Sequence, residues 1–342
     1  MKYIFTCQPG AMKIAASEYK KEDPSSSFCD WLDAGVGLLN SDLDNAQMVQ
    51  LIETAPIIFT RHLFEVDVEF DRPEEISELV ALCEGYALGT LKNTNSYTIQ
   101  ARTMDIESLK QYRNEFRDQF SQALSGHGFV EDIKNGEQIL SVFLTNKKVY
   151  IGCATGAMNL SHWSGGMMHC AKDGMISRAE FKLLEAMEVF HLDMDQFHVA
   201  ADLGAAPGGW TNALLNQGMK VTAIDPANMD SELLKNPNLK HYKEMTQTYL
   251  TRGLNTRFDL IVNDMKMDVV QSASITNEFE HVLSDHGLVI MTFKLPNNYS
   301  YLNVKRGIEE LQTCYDFVTA RQLFHNRSEI TVLFKKRLSD QV

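Results

Sequence analysis

Short apolar runs and amphipathic stretches alternate along the first 150 residues in a pattern that predicts two small mixed units. Residues 1–80 combine helical stretches with strand-like runs at Tyr3–Cys7, Ile57–Thr60 and Phe64–Phe70. We therefore expect one α+β domain over residues 1–80 and a second over residues 81–165.

The second unit places strands before and after one long helix. The pattern predicts a strand over Tyr97–Arg102, a helix over Glu107–Leu124, and a hairpin that pairs Ile139–Leu144 with Lys148–Cys153. Strands on both sides of a helix favour an α+β fold with an antiparallel sheet.

Periodicity stops between Gly152 and Gly174, where the sequence reads GCATGAMNLSHWSGGMMHCAKDG. Glycine and methionine are frequent there, and apolar residues recur at neither helical nor strand spacing. We predict a partly ordered linker that leads to a third domain over residues 170–342.

Beyond the linker, strand-like runs alternate with helical stretches, which is typical of a doubly wound α/β domain with a mostly parallel sheet. Helices are predicted over Arg178–Phe190, opened by a capping box of Ser177 and Glu180, and over Trp210–Asn216 and Ile275–Leu283. The last two strands are close enough in sequence to form an antiparallel hairpin at the sheet edge. The predicted strands are His198–Leu203, Lys220–Asp225, Phe258–Asp264, Gly287–Leu295, Val318–Leu323 and Ile330–Phe334.

Composition limits the class of protein. The 342 residues are 44% hydrophobic, which is enough to build a sizeable core, and the formal charge is −13. An acidic chain does not coat nucleic acid by bulk positive charge. A local basic groove remains open, because five Lys and Arg side chains fall within residues 235–257 and Lys305, Arg306 and Arg321 lie further along.

Three features absent from the sequence bear on the location of the protein. We find neither a secretory leader nor a run of about 18 apolar residues, so we expect no membrane segment. The six cysteines are scattered without a C-x-x-C pair, as is typical of a reducing cytoplasm.

A glycine turn follows the first strand of the α/β domain, in the sequence DLGAAPGGWTNALL. Gly204, Gly208 and Gly209 allow the backbone to approach a ligand closely, and the amides that start the next helix face the same crevice. The spacing matches neither G-x-G-x-x-G nor G-x-x-x-x-G-K-[ST], which disfavours a pyrophosphate site.

An acidic residue, Asp225, ends the next strand. A carboxylate at that point can accept hydrogen bonds from both hydroxyls of a ribose. Together with the glycine turn it favours an adenosine ligand without a pyrophosphate, of which S-adenosylmethionine is the obvious example. The alternative is a tight strand-to-helix turn that binds no ligand.

Polar residues also fall at the ends of other strands, where open α/β sheets place their active sites. Asp264, Lys294 and Glu329 occupy such positions, and Lys182 lies on the helix before the first strand. Two amines and two carboxylates suit the methylation of a ribose 2′-hydroxyl, because a poor nucleophile needs a base and an orienting carboxylate.

The motifs SRAEFKLLEA, VNDM, TFKLP and ARQLFHNRSEITV, with the glycine turn, resemble the FtsJ-like ribose 2′-O-methyltransferases. The resemblance covers about residues 170–337 and is strongest to the bacterial branch that modifies cytidine in large-subunit ribosomal RNA. It implies a Rossmann-like methyltransferase fold. It further implies a ferredoxin-like domain over residues 1–80 and a THUMP-like RNA-binding domain over residues 81–165.

By that resemblance the family's Lys-Asp-Lys-Glu tetrad falls on Lys182, Asp264, Lys294 and Glu329. Lys294 would be the general base. Lys182 would favour its neutral form and contact the target nucleotide, Asp264 would position the base, and Glu329 would hold the hydroxyl. The implied cofactor shell comprises Asp202, Gly204, Ala206, Pro207, Gly208, Gly209, Trp210, Asp225 and Asp264.

One position departs from the family. An aspartate usually accepts from the adenine amino group after the third strand, whereas this chain offers Glu244 and then Met245. Either Glu244 takes that role from a shifted position or the contact is missing.

The leading hypothesis is an S-adenosylmethionine-dependent RNA ribose 2′-O-methyltransferase with ribosomal RNA as its substrate. The alternatives are a catalytically silent RNA-binding or assembly module with the same fold, and a methyltransferase of proteins or small molecules. No metal is expected, because His162, His169 and Cys170 lack a second pair of ligands at metal-binding spacing.

Overall fold

The computed structural model describes residues 1–169, 174–253, 256–295 and 301–338. These residues form two compact units, Met1–Met168 and His169–Val342. Part of the predicted linker, residues 170–173 with Cys170, lies outside the described residues.

The first unit contains two four-stranded sheets. The first sheet has the strand order β2-β3-β1-β4 and is antiparallel throughout, and the second has the order β5-β8-β7-β6. Ile4, Phe64 and Phe143 belong to a buried cluster that joins the two sheets. The elements are β1 Lys2–Thr6, α1 Met12–Glu22, β2 Ser27–Asp33, β3 Val36–Asn40, α2 Asn45–Thr54, β4 His62–Glu65, β5 Val68–Asp71, α3 Ile76–Thr90, β6 Tyr97–Thr103, α4 Glu107–Gly126, β7 Gln138–Leu144 and β8 Lys148–Ala154.

Three predictions for this unit are corrected. Ile57–Thr60 is not a strand but a buried loop, whose Ile58 and Phe59 amides donate to the carboxylate of Glu18. The run Phe64–Phe70 is split into β4 and β5, because the chain crosses from one sheet to the other. The second sheet is mixed, since β6 and β7 are parallel. The strand, helix and hairpin predicted over residues 97–153 are confirmed.

The predicted linker begins too early. Gly152–Ala154 belong to β8, and the segment that follows is fixed to the first unit. The carbonyl of Asn159 accepts from the amide of Leu63 at 3.1 Å, and its side-chain nitrogen donates to Ser141 Oγ at 2.9 Å. Buried hydrogen bonds therefore replace the regular periodicity that the sequence pattern looks for.

The second unit is a seven-stranded sheet with the order β11-β10-β9-β12-β13-β15-β14. The pairs that join β11, β10, β9, β12 and β13 are parallel, and β15 is antiparallel to both of its neighbours. The elements are α5 Ala179–Val189, β9 Val199–Leu203, α6 Gly209–Asn216, β10 Lys220–Ile224, β11 Leu239–Tyr242, α7 Thr246–Leu250, β12 Phe258–Asn263, α8 Val269–Asn277, β13 Leu283–Lys294, α9 Tyr301–Leu311, β14 Tyr315–Arg321 and β15 Glu329–Lys336.

This sheet confirms the doubly wound, Rossmann-like architecture, the six predicted strands and the terminal antiparallel hairpin. The sequence pattern missed β11, α7 and α9. The helix predicted over Ile275–Leu283 is displaced, since α8 spans Val269–Asn277 and Leu283 begins β13. The capping box is wrong. No side chain caps α5, and the Glu180 carboxylate instead accepts from the amide of Ile176 and from Asn212 Nδ2.

Candidate active site

Four charged side chains meet at the carboxyl edge of the parallel strands. Asp264 follows β12, Lys294 ends β13, Glu329 begins β15, and Lys182 projects from α5. Lys182 Nζ lies 3.0 Å from Asp264 Oδ2 and 2.7 Å from Glu329 Oε2. Lys294 Nζ lies 3.0 Å from Glu329 Oε1 and also contacts Asp264 Oδ1. The structure thus brings the four predicted residues into one alternating ring of two amines and two carboxylates.

The charged ring is largely buried but still partly open to solvent. Its four side chains are between 14% and 18% exposed, so a substrate can reach groups that are largely out of bulk water. Burial disfavours the charged form of Lys182, but the carboxylates of Asp264 and Glu329 outweigh burial and raise the pKa of its ammonium. Burial likewise opposes the Asp264 carboxylate, and Lys294 and Lys182 nevertheless lower the pKa of that carboxyl.

Thr292 is a member of this network that the sequence reasoning missed. Its hydroxyl donates to Asp264 Oδ1, and Lys294 Nζ donates to Thr292 Oγ1 at 2.8 Å. The signal was available in the motif TFK, because residues i and i+2 of a strand face the same side of the sheet. A hydroxyl two positions before a site lysine is therefore placed beside it.

The turn after β12 is held by Asn263, which is fully buried. Its side-chain nitrogen donates to Ser272 Oγ at 3.1 Å and to Thr276 Oγ1 at 2.8 Å, and its oxygen accepts from the amide of Met265 at 2.9 Å. These bonds join the strand end to α8 and fix the backbone on both sides of Asp264.

The loop before Glu329 is held from α5. The buried carboxylate of Glu185 accepts from the amide of Phe324 at 2.6 Å, from the amide of His325 at 2.8 Å, and pairs with His325 Nδ1 at 2.8 Å. The His325 ring stacks on Phe181 with 4.9 Å between ring centroids. Lys182 and Glu185 are three residues apart on one helix, so α5 both supplies one ring member and anchors the loop that carries another.

The glycine turn lies next to this ring, because β9 is paired with β12. Gly204 has φ +76°, and a Cβ there would lie 2.4 Å from Met265 Cγ. Asp225 at the end of β10 supports the turn, since its Oδ2 accepts from the amide of Ala206 at 3.1 Å and its Oδ1 accepts from Ala227. Ala206–Pro207 is a cis peptide bond.

The requirement for glycine at the other two positions has a cause within the protein. Gly208 has φ +118°, and a Cβ there would lie 2.3 Å from Leu233 Cδ1. A Cβ on Gly209 would lie 2.2 Å from Ser177 Oγ. Collision with a ligand is therefore not needed to explain these two glycines.

Two predicted cofactor residues have buried side chains. Asp202 is 1% exposed and accepts from Thr211 Oγ1 at 2.6 Å, and burial raises the pKa of its carboxyl to about 7. Trp210 is 2% exposed, and its indole nitrogen donates to the carbonyl of Ala179 at 2.7 Å. Contact between Trp210 and a cofactor would therefore come from its main chain.

Glu244 follows β11, and both of its carboxylate oxygens are engaged by one guanidinium. Arg252 Nε lies 2.6 Å from Oε1 and Arg252 Nη2 lies 2.9 Å from Oε2. This ion pair lowers the pKa of the Glu244 carboxyl. A contact from Glu244 to an adenine amino group would have to compete with Arg252 for those oxygens.

The basic stretch over residues 235–257 does not form one patch at this edge. Lys235 pairs with Glu232, and Lys243 donates to Asn228 Oδ1. Arg257 precedes β12, at the opposite edge from the charged ring, and donates to the carbonyl of Leu283. The prediction of a basic groove gains no support from these residues.

Neither a metal cluster nor a membrane helix is found in the parts of the chain that the structure describes. No group of three or more His, Cys, Asp or Glu side chains within those parts is arranged to hold a metal ion. None of the helices described is long and apolar enough to cross a membrane.

Comparison with known proteins agrees with this arrangement. Residues 175–307 match the FtsJ-like methyltransferase family. Ribosomal RNA large subunit methyltransferase M of Aeromonas hydrophila is 28% identical, over 96% of this chain and 95% of the relative. The protein of the same name from Stutzerimonas stutzeri is 24% identical, over 96% of this chain and 97% of the relative.

Among solved structures, TrmN from Thermus thermophilus is 13% identical, covers 98% of this chain and 100% of its own, and has a TM-score of 0.38. A likeness this distant carries no argument about function. The family match, in contrast, contains the glycine turn, Asp225 and three members of the charged ring. Residues 175–307 of the second unit are therefore similar to the FtsJ-like methyltransferases, and the chain is similar over nearly its whole length to relatives named ribosomal RNA large subunit methyltransferase M.

Proposed function

We propose that the protein is an S-adenosylmethionine-dependent RNA ribose 2′-O-methyltransferase that acts on large-subunit ribosomal RNA. The observation that carries the proposal is the ring of Lys182, Asp264, Lys294 and Glu329 beside the glycine turn. Full-length relatives named for methylation of large-subunit ribosomal RNA support the choice of substrate.

The residues of the glycine turn fit S-adenosylmethionine. Asp225 is partly exposed at the end of β10, and its carboxylate can accept from ribose hydroxyls while it also supports the turn. Gly204 has no side chain to cover the backbone beside the turn after β12, and Asp264 lies at the same edge of the sheet. When bound there, this cofactor supplies a methyl group on a sulfonium sulfur, which an oxygen nucleophile can displace in line.

The charged ring prepares that oxygen. We assign Lys294, whose Nζ is held by Asp264, Glu329 and Thr292, as the amine that accepts the proton of the 2′-hydroxyl, after its ammonium has released one proton to solvent. Lys182 is held as an ammonium, since the carboxylates of Asp264 and Glu329 raise its pKa. Glu329 contacts both amines and is placed to hold the hydroxyl at attack distance.

The first unit belongs to this proposal as the part that selects RNA. We retain the ferredoxin-like assignment for residues 1–80 and the THUMP-like RNA-binding assignment for residues 81–165 as proposals. We also propose a cytoplasmic location.

Methyl transfer to purified ribosomal RNA tests the chemistry. We expect Lys294→Met to lower kcat by about 10²–10⁴-fold, which is the usual contribution of a general base, with little change in affinity for S-adenosylmethionine. Lys220→Met is the matched control, because Lys220 is an exposed lysine that begins β10 at the opposite edge of the sheet. Equal activity of wild type and Lys294→Met would remove Lys294 from its role.

Substrate identity needs a separate experiment. Mapping of 2′-O-methyl groups in ribosomal RNA from cells with and without the gene should reveal one missing methylation in the large-subunit RNA. If no position changes, ribosomal RNA is not the substrate. Retained cofactor binding without transfer to any RNA would favour the catalytically silent module.

A further inference from the structure

The two amines of the charged ring differ in the groups that they contact. Among the residues that the structure describes, each partner of Lys182 Nζ is a carboxylate oxygen: Asp264 Oδ1 at 3.1 Å, Asp264 Oδ2 at 3.0 Å and Glu329 Oε2 at 2.7 Å. Lys294 Nζ contacts one oxygen of each carboxylate and, as its third partner, Thr292 Oγ1 at 2.8 Å. An uncharged hydroxyl therefore distinguishes the surroundings of Lys294 from those of Lys182.

The direction of both hydrogen bonds at Thr292 follows from the chemistry of its partners. A carboxylate only accepts, so the hydroxyl donates its hydrogen to Asp264 Oδ1, and an ammonium only donates, so the hydroxyl accepts from Lys294. The Thr292 side chain is 1% exposed, so bulk water does not replace either bond. Thr331 lies opposite Thr292 on β15, but its hydroxyl donates to Asn326 Oδ1 at 3.0 Å.

Hydroxyl and carboxylate partners respond differently when an amine loses a proton. A neutral amine keeps two N–H donors and gains a lone pair, which a carboxylate oxygen cannot engage because it has no hydrogen to donate. The Thr292 hydroxyl can turn its hydrogen from Asp264 Oδ1 to the lone pair of Lys294. It can thus bind both protonation states of Lys294, whereas the carboxylates around Lys182 favour the ammonium and raise its pKa.

The same hydroxyl also acts through Asp264. It donates to Oδ1, the oxygen that contacts Lys294, and so disperses part of the negative charge that holds the ammonium. The charged groups around Lys294 are Asp264 after β12 and Glu329 on β15, with Lys182 of α5 bound to both carboxylates. All three charges remain when the hydroxyl alone is removed.

We propose that Thr292 is the positioning residue that makes Lys294, rather than Lys182, the amine that gives up its proton and serves as the base. The role in catalysis rests on the function proposed above. Lys294 first releases one proton to solvent. It then takes up the proton of the 2′-hydroxyl while the oxygen bonds to the methyl carbon and the carbon–sulfur electron pair stays on sulfur. When the substrate arrives, the Thr292 hydroxyl turns back to Asp264 and accepts an N–H of Lys294, which leaves the lone pair for the substrate.

The order in which the two amines lose their protons can be measured without any substrate. NMR of isotope-labelled lysines follows both Cε signals against pH, and Lys182→Arg and Lys294→Arg identify them. In wild type, Lys294 should lose its proton at a lower pH than Lys182. If Lys182 loses its proton first, the proposal is overturned whatever the variants show.

Replacement of Thr292 tests its part in that order. Thr292→Val keeps the shape of the side chain without the hydroxyl, and should move the titration midpoint of Lys294 up by about 1 pH unit. Thr292→Ala removes the same hydroxyl in a smaller side chain and gives a second measurement. Thr292→Ser keeps the hydroxyl and should preserve the wild-type midpoint. An unchanged midpoint in a folded Thr292→Val or Thr292→Ala would contradict the proposal.

Kinetics give a readout that a merely structural role would not move. In methyl transfer to ribosomal RNA, Thr292→Val should lower kcat/KM by about 10-fold at neutral pH, and the loss should shrink as pH rises and Lys294 becomes neutral without help. A defect in packing alone would lower the rate by one factor at every pH. Thr222→Val is the matched control, because Thr222 is a buried threonine of β10, three strands from β13. Its pH profile should be that of wild type.

The role of Thr292 and the proposed function can fail separately. If NMR shows the expected order and its dependence on Thr292 but wild type transfers no methyl group to any RNA, the proposed function fails and the control of proton loss by Thr292 stands. If Thr292→Val methylates ribosomal RNA at the wild-type rate at every pH, the proposed function stands and the role of Thr292 fails.

Discussion

Glu185 offers the sharpest test of how the charged ring is positioned. Its side chain is 2% exposed, and three donors from the β14–β15 loop converge on its carboxylate. Replacement by glutamine keeps the shape and one carbonyl oxygen but removes the charge and one acceptor. The loop that leads to Glu329 then loses most of its attachment to α5.

The magnitude follows from those bonds. A hydrogen bond to a charged group contributes about 1.5–3 kcal/mol, so the loss of two of the three lowers the free energy of unfolding by about 3–6 kcal/mol. A displacement of Glu329 by about 1 Å costs about 10²-fold in kcat when a reacting group must be held at attack distance. We expect KM for S-adenosylmethionine to stay near its wild-type value, because Glu185 touches no part of the glycine turn.

The assay compares kcat, KM and Tm for Glu185→Gln with those for Glu278→Gln. Glu278 is an exposed glutamate at the end of α8, so it carries the same substitution away from the loop that Glu185 holds. A second comparison uses Glu329→Gln alone and in combination with Glu185→Gln. If Glu185 acts through Glu329, the double variant is hardly slower than Glu329→Gln. A wild-type kcat in a destabilised Glu185→Gln, or two losses that simply multiply, would refute this reasoning.

Three further outcomes are expected. Asp202 binds a proton more tightly in the folded protein than in the unfolded chain, because its carboxyl pKa rises from 3.8 to about 7. As pH rises from 4 to 7, wild type should therefore lose about 2–4 kcal/mol of stability relative to Asp202→Asn. Denaturant unfolding measures this difference, and parallel pH profiles of the two proteins would contradict the prediction. Gly208→Ala places a Cβ 2.3 Å from Leu233 Cδ1 at a positive φ, so its Tm and its affinity for S-adenosylmethionine should both fall, and wild-type calorimetric values would be inconsistent with the turn described. Asp225→Asn should weaken S-adenosylmethionine binding by about 10-fold. Glu244→Gln should weaken it by less than about 3-fold, because Arg252 already donates to both carboxylate oxygens of Glu244. A larger loss for Glu244→Gln than for Asp225→Asn would assign the adenine contact to Glu244.

The second unit was the more predictable part of the chain. Its central strands are buried on both faces, so they appear in the sequence as continuous apolar runs that local pattern can identify. β11 was missed because only four residues, LKHY, form it, and none of them is fully buried. The charged ring was predicted from motifs, whereas Thr292 follows from strand alternation alone.

The first unit shows where local pattern is insufficient. Whether β6 and β7 run parallel depends on the path of the chain through α4, and the residue types of the two strands do not indicate their relative direction. The loop Ile57–Thr60 is as apolar as a strand because it is buried, and its backbone donors are satisfied by Glu18, which is distant in sequence. The capping box failed for a similar reason, since Asn212 on α6 and the amide of Ile176 engage the carboxylate of Glu180.

The position of β15 has a consequence for the folding of the protein during its synthesis on the ribosome. This strand is the last one described, yet it lies between β13 and β14 and places Glu329 in register with Lys294. While residues 329–336 are still inside the ribosomal exit tunnel, β14 has no partner and the charged ring lacks one carboxylate. The domain can therefore become active only after nearly all of it has been synthesised, and a chain that stops before β15 leaves an open sheet edge exposed to aggregation.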